Sequence, residues 1–361
     1  MGKATKELNR LIKKRKVLNN EFYSLRSILG YSWAIFYFLL GGREAGKSYA
    51  VTEFFVRQWR EYGRPFYWLR LSETSARKLL SNNAEKLIDP DIRRKYNIEL
   101  KTKGDAVYEI IRHFDDDGKE ISVEKKLMAR VLSLATYYND KGSGLFDKDF
   151  LDDPKMYYNI CLDEMNREQN ERKSFDIVYS FANQLENLVR STKQRIRVIC
   201  IGNTLEEASD LLCAFNFLPE EFGRYKLKNK RAVIDYIEPS EAYKRRRQGT
   251  VADILSGQSS TFTNEVKVDS SLVDKRRLIK PQYQIWFSET EKYTVWNNNI
   301  IAQYNNEKVP VISMRPYLST VFNAESRNTV ITTFDSRAYH FRNLMTFKKF
   351  KKALTALRPT K

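Results

Sequence analysis

The stretch "GGREAGKSYA", residues 41–50, carries the residue types that hold phosphate. Gly41, four residues, Gly46, Lys47 and Ser48 keep the spacing G-x-x-x-x-G-K-[ST] of a phosphate-binding loop. Glycines let the backbone fold so that several N–H groups face one anion. A helix starting here adds its positive end and its unpaired N–H groups. In such a loop Lys47 reaches the β- and γ-phosphates of ATP, and the Ser48 hydroxyl holds Mg²⁺. The candidate nucleotide site is therefore Gly41, Gly42, Arg43, Glu44, Ala45, Gly46, Lys47, Ser48 and Tyr49.

A phosphate loop alone does not make a hydrolase. The stretch "NICLDE", residues 159–164, supplies two carboxylates at the end of an apolar run. Asp163 suits the second metal ligand of a phosphate-loop NTPase, which shares Mg²⁺ with the loop Ser. Glu164 is placed to polarise an attacking water as general base. A nucleotide kinase attacks with a substrate hydroxyl and has less need of this second carboxylate. Asn203, ending "ICIGN", could sense the γ-phosphate or position the water; as a residue type it also caps turns. Charge spreading over the γ-phosphoryl oxygens calls for arginines. Arg43 lies in the loop and Arg70 ends the apolar run "RPFYWLRL". Arg190 and Arg195 flank the entry to "RIRVICIGN", where they could serve a neighbouring subunit's nucleotide or complement a helix C-terminus.

These residues need a scaffold. The apolar run Trp33 to Leu40 reads as a strand before the loop, and Tyr49 to Trp59 as a helix after it. Further strands are predicted at 64–71, 156–164 and 195–203. A helix capped by Ser72 and another over about 174–190 lie between them. This alternation predicts an α/β fold with a mainly parallel sheet and ligands at the carboxyl ends of its strands. Residues 97–135 read as an inserted β-rich excursion with an Asp-Gly turn. Residues 4–28 read as a basic helix, 240–268 as a polar linker, and 329–334 ("TVITTF") as a strand. The tail from Arg342 reads as an amphipathic basic helix. The expected domains are an N-terminal helix (1–30), a phosphate-loop ATPase domain (31–239), the linker (240–268) and a smaller α+β domain (269–361).

Composition narrows the partners. Among 361 residues, 63 Lys and Arg face 45 Asp and Glu, a net +18. From Pro239 onward 21 basic residues face 10 acidic ones, so most of the excess lies in the last third. Such an excess points to a polyanion, nucleic acid first. The candidate contacts are Lys244, Arg245, Arg246 and Arg247; Lys275, Arg276 and Arg277; and Lys348, Lys349, Lys351 and Lys352. The longest apolar run is far too short to cross a bilayer. Cys161, Cys200 and Cys213 show neither pairing nor metal spacing, which suggests buried thiols in a reducing, cytoplasmic setting.

At these residues the chain resembles the DNA-packaging ATPase, or encapsidation protein, of small Picovirinae-type podophages. The resemblance runs from "GGREAGKSYA" through "PFYWLRL", "NICLDE", "VRSTKQRIRVICIGN" and "FNFLP" (215–219), in the family's order and approximate spacing. Beyond about residue 240 it rests on length and strand pattern. It implies an ASCE-type ATPase that forms a homo-oligomeric ring, usually a pentamer, docked on the procapsid portal in the host cytoplasm. The ring drives double-stranded DNA inward, with no membrane involved, and some relatives use a structural packaging RNA. By matching positions, Lys47 and Ser48 bind phosphate and Mg²⁺, Asp163 holds the metal and Glu164 is the catalytic glutamate. Arg190 matches the family's trans-acting arginine finger if one residue is inserted between it and Arg195, so both stay candidates. The second domain is implied to resemble a ribonuclease-H-like nuclease that has lost its activity. A terminase with an active nuclease would need clustered carboxylates. The strands after residue 280 show none inside "YQIWF" or "YTVW". A helicase would need further motor motifs, and none is visible. A scaffold that binds nucleotide without hydrolysis has no use for Glu164.

Overall fold

The computed structural model describes residues 22–140, 157–166, 175–189, 195–203, 209–219, 221–251, 254, 272–303, 308–318 and 322–357. The chain divides into two compact units: Met1–Leu205 with Pro219–Glu265, and Glu206–Leu218 with Val266–Lys361. The short segment Glu206–Leu218, which sequence reading puts inside the ATPase domain, groups with the second unit.

The first unit is built on nine strands: β1 (Phe36–Leu40), β2 (Phe66–Arg70), β3 (Glu99–Lys103), β4 (Ala106–Phe114), β5 (Glu120–Ser133), β6 (Tyr157–Asp163), β7 (Arg195–Gly202), β8 (Gly223–Leu227) and β9 (Ala232–Tyr236). Their order is β3-β4-β5-β2-β6-β7-β1-β9-β8. The strands from β5 to β9 in that order pair in parallel, with antiparallel strands only at the two edges. Strand β7 lies between the phosphate-loop strand β1 and the acidic strand β6, as the ASCE-type reading implies. The central strands are buried along nearly their whole length, which is why they read as continuous apolar runs rather than alternating ones.

The helix Lys47–Tyr62 packs against this sheet through Val51, Phe54, Phe55, Val56 and Trp59, a helical stripe. It stops at Gly63, whose φ of 66° is open to glycine and whose N–H donates to Trp59 O. Ser72 caps the next helix by accepting from the Ser75 N–H, as its sequence position predicts. The predicted hairpin is present as β4 and β5, but it is no excursion. The last five residues of β5, Ala129–Ser133, pair in parallel with β2 inside the main sheet. Of the predicted helix over 4–28, residues 4–21 lie outside the described residues. The described part holds one helical turn, Arg26–Leu29, with Leu25 and Ile28 buried in the sheet's core.

The second unit holds β10 (Pro281–Trp286), β11 (Lys292–Trp296), β12 (Ile300–Ala302), β13 (Val311–Ser313) and β14 (His340–Phe341), in the order β13-β10-β11-β12-β14. β10, β11 and β12 form an antiparallel meander, with β13 parallel to β10 and β14 parallel to β12. Phe350 is fully buried, its ring 5.2 Å from those of Phe287 and Tyr293 and 5.6 Å from Phe341. It lies on the helix Leu344–Thr355, the expected basic tail helix. Residues 329–334 are not a strand. They belong to the helix Ala324–Asp335, started by Asn323, whose side chain accepts from the N–H groups of Glu325 and Ser326. Among the described residues no helix is long and apolar enough to cross a membrane.

Candidate nucleotide site

The loop after β1 has little freedom to be anything else. A Cβ on Gly41 would stand 3.1 Å from the Ile237 side chain. Gly46 has a φ of 80°, and a Cβ there would meet Phe22 at 3.1 Å. Between them Glu44 adopts a φ of 61°, a conformation that non-glycine residues take only when their surroundings impose it. Lys47 is buried, with Nζ donating to Gly41 O at 2.9 Å and Gly42 O at 2.7 Å. Burial lowers its pKa to about 8, while nearby Asp163 pulls the other way.

Asp163 ends β6 beside the loop and is buried. Its Oδ1 accepts from the Ser48 hydroxyl at 3.3 Å and from the Glu164 N–H at 3.1 Å. Two hard oxygen groups thus meet at the mouth of the loop, the donor set that Mg²⁺ takes, so these residues fit such an ion. Glu164 follows with a φ of 59°, turning out of the strand, and its carboxyl group is 58% exposed. Arg70, at the end of β2, lies 3.0 Å from Asp163 Oδ2 and is also ion-paired with Glu164. Burial works against the Arg70 charge, but the two carboxylates outweigh it and raise its pKa. Burial also raises the pKa of Asp163, with Arg70 opposing and Glu164 adding to the rise.

These groups line one cavity of about 740 Å³. Arg43, Glu44, Ala45, Gly46, Lys47, Ser48, Tyr49, Arg70, Asp163, Glu164 and Asn203 all border it. The walls also include residues that sequence reasoning missed: Thr52, Trp68, and Glu85, Lys86 and Asp89 from the turn after the Ser72-capped helix. For Glu85, Lys86 and Asp89 the only sequence signal is position one helix after β2. Arg195 begins β7, opposite Tyr157 and at the other end of that strand from Asn203, and lies over the Tyr157 ring. It does not line its own subunit's cavity. Arg190 lies outside the described residues.

The basic clusters part company. The reading of 240–268 as a linker fails at its start, because Glu241–Arg247 is a helix of the first unit capped by Ser240. Arg246 donates to Glu44 O at 2.5 Å, and Arg247, nearly buried, donates to Arg43 O at 2.9 Å. Both side chains, expected at a DNA surface, are turned onto the phosphate loop. Lys244 pairs with Glu241, one turn away, and Arg245 is exposed. Arg276 pairs with Asp274 at 2.5 Å. Lys348 pairs with Asp210 at 3.1 Å, and Lys349 donates to Asn216 at 2.8 Å. Lys351 lies near the Phe347 ring, and Lys352 is exposed. Residues 252, 253 and 255–268 of the expected linker lie outside the described residues.

The chain is similar to known phage proteins over most of its length. Residues 18–280 match the family model described as podovirus DNA encapsidation protein (Gp16). The DNA packaging protein of Bacillus phage phi29 is 20% identical over 263 residues, covering 71% of this chain and 69% of that protein. The DNA packaging protein of Bacillus phage PZA is 21% identical over 257 residues, covering 70% of this chain and 66% of that protein. Among solved structures, a chain of the bacteriophage phi29 genome packaging motor assembly aligns over 94% of this chain and all of its own length. It has a TM-score of 0.56 at 19% identity. The phi28 gp11 DNA packaging motor aligns over 95% of this chain and all of its own, with a TM-score of 0.57 at 14% identity. At such identities the structural likeness is one of fold.

Proposed function

The chain belongs to the podovirus DNA encapsidation protein family, and from that premise we propose that it is a motor ATPase that hydrolyses ATP to drive double-stranded phage DNA into a procapsid. The observation that carries the reading is the meeting of Ser48, Asp163, Glu164 and Arg70 at the ends of β6 and β2, directly beside Lys47. Lys47 and the loop N–H groups hold the phosphates. Ser48 and Asp163 hold Mg²⁺, which when bound neutralises charge on the β- and γ-phosphates. Glu164 accepts a proton from the attacking water. Arg70 pairs with one oxygen of this carboxylate, which leaves the other to take the proton. Asn203, at the tip of β7, borders the same cavity and positions the water or senses the γ-phosphate. Arg43 contributes charge from the loop.

The subunits act as a homo-oligomeric ring, with Arg190 or Arg195 completing a neighbour's site, docked on the portal in the host cytoplasm. A pentamer and a structural packaging RNA are the finer forms of this proposal. The second unit serves as a non-catalytic nucleic-acid-binding module. The test is ATP turnover by the full chain with and without duplex DNA and procapsids, beside Lys47→Ala. Turnover that rises with DNA and vanishes in the variant supports the proposal. Turnover indifferent to Lys47 contradicts it.

A further inference from the structure

Six consecutive carbonyls of the phosphate loop have identified donors. Gly41 O and Gly42 O accept from Lys47 Nζ, and Gly46 O accepts from the Ala50 N–H at 2.9 Å. Ala45 O accepts from the Tyr23 N–H at 2.9 Å. The two carbonyls at the crest are held from a distant part of the chain. Arg43 O accepts from the Tyr243 hydroxyl at 2.7 Å and from Arg247 Nη1 at 2.9 Å, and Glu44 O accepts from Arg246 Nη2. All three donors come from the helix Glu241–Arg247. Tyr243 and Arg247 are one turn apart and touch, Arg247 Nη1 donating to the Tyr243 hydroxyl at 3.2 Å. The Arg246 guanidinium lies over the Phe22 ring, the same ring that abuts Gly46.

A trans peptide is planar, so its C=O and the next residue's N–H point in opposite directions. Holding the carbonyls of Arg43, Glu44 and Ala45 on one side therefore turns the N–H groups of Glu44, Ala45 and Gly46 to the other. That is the geometry of an anion-binding nest. It also explains how Glu44 keeps its left-handed backbone, since fixed carbonyls on both sides of it remove the alternatives. Two guanidinium charges at the back of the loop add to the field that favours phosphate.

We propose that Tyr243, Arg246 and Arg247 are positioning residues for nucleotide binding, bracing the phosphate loop from behind in its phosphate-accepting shape. The proposal rests on the reading of residues 41–48 as a phosphate site. It assigns to the "YKRRR" run a task other than gripping DNA. It also makes nucleotide affinity depend on the segment that leads toward the second unit in sequence.

The test uses the full chain and titration with a fluorescent ADP in the presence of Mg²⁺. Losing a charged hydrogen bond to Arg43 O should weaken binding by Arg247→Ala about 10- to 100-fold. Tyr243→Phe, which removes one neutral bond, should weaken it roughly 2- to 10-fold. Arg247→Lys keeps a cation and a donor and should recover part of the loss. In steady state, KM for ATP should rise far more than kcat falls, because the brace shapes the binding loop and does not touch the reacting atoms. The salt dependence of duplex binding by Arg247→Ala should match wild type. Should Arg247→Ala fail to fold, Tyr243→Phe and Arg247→Lys carry the test. Wild-type nucleotide affinity in folded Tyr243→Phe and Arg247→Ala overturns the brace, as does a flattened salt slope with unchanged affinity. Absence of nucleotide binding by wild type and Lys47→Ala alike would instead overturn the reading on which the brace rests.

Discussion

The charged side chains around the phosphate loop and those of the second unit are held in opposite ways. Lys47, Arg70, Asp163 and Arg247 are buried or nearly so, and each is tied to loop carbonyls or to an opposite charge. In the second unit Arg276 is largely exposed beside Asp274, and the helix Leu344–Thr355 carries Lys348 and Lys349 half-buried and Lys351 and Lys352 exposed. Buried charge is costly unless fully partnered, so where it persists it fixes a geometry. Exposed pairs contribute little to stability and part readily. The same residue type, arginine, is turned onto the phosphate loop in one region and exposed beside a carboxylate in the other.

The largest expected effect joins the buried site to a neighbour. A trans-acting arginine can be worth ~10³–10⁵ in rate. Rings mixing Arg190→Ala subunits, with an intact Glu164, and Glu164→Gln subunits, with an intact finger, should recover turnover that neither variant shows alone. The same mixture with Arg195→Ala decides between the two. If neither mixture recovers activity although mixed rings form, the finger lies elsewhere.

Next comes the buried lysine. Its folded pKa of about 8 lies below the ordinary 10.5. Between those values the unfolded chain binds more protons than the folded one, so the stability of the nucleotide-free protein should rise with pH across this window. The rise should be of order 3 kcal/mol, and Lys47→Met should lack it in urea unfolding measured at successive pH values. ATP requires the charged form, so affinity should fall above pH 8 by up to about tenfold per pH unit. A wild-type stability curve parallel to that of Lys47→Met would show that Lys47 is not buried as described.

The smallest effects sharpen the comparison from its exposed side. Phosphate contacts each contribute about −0.9 to the slope of log affinity against log salt. Replacing Lys275, Arg276 and Arg277 with Ala should weaken duplex binding equally for unrelated sequences and flatten that slope. Replacing Arg246 and Arg247 should leave it unchanged. The reverse pattern would put the DNA surface on the Glu241–Arg247 helix.

The candidate site was legible because phosphate chemistry demands fixed spacings: the loop from Gly41 to Ser48 and the acidic end of β6. Local signals also gave the Ser72 cap and the β4–β5 hairpin. The parallel pairing of β5 with β2 was not legible, since it joins segments some sixty residues apart and leaves no local pattern. "TVITTF" reads as a strand because β-branched residues favour strands. The Asn323 cap and the packing of Val330 override that preference. "YKRRR" reads as linker charge for a polyanion because its partners are backbone carbonyls some two hundred residues earlier, which no spacing announces. The clue in hindsight is Ser240, a helix cap three residues before an aromatic ring.

One measurement tests the central claim most directly: nucleotide binding and ATP turnover by Glu164→Gln, compared with wild type in the presence of duplex DNA. Lys47, Ser48 and Asp163 remain in that variant, so ATP should bind with near-normal affinity. Loss of the general base should slow turnover ~10²–10⁴-fold. Turnover at the wild-type rate would contradict the assignment of Glu164 and, with it, the reading of this site as the seat of hydrolysis.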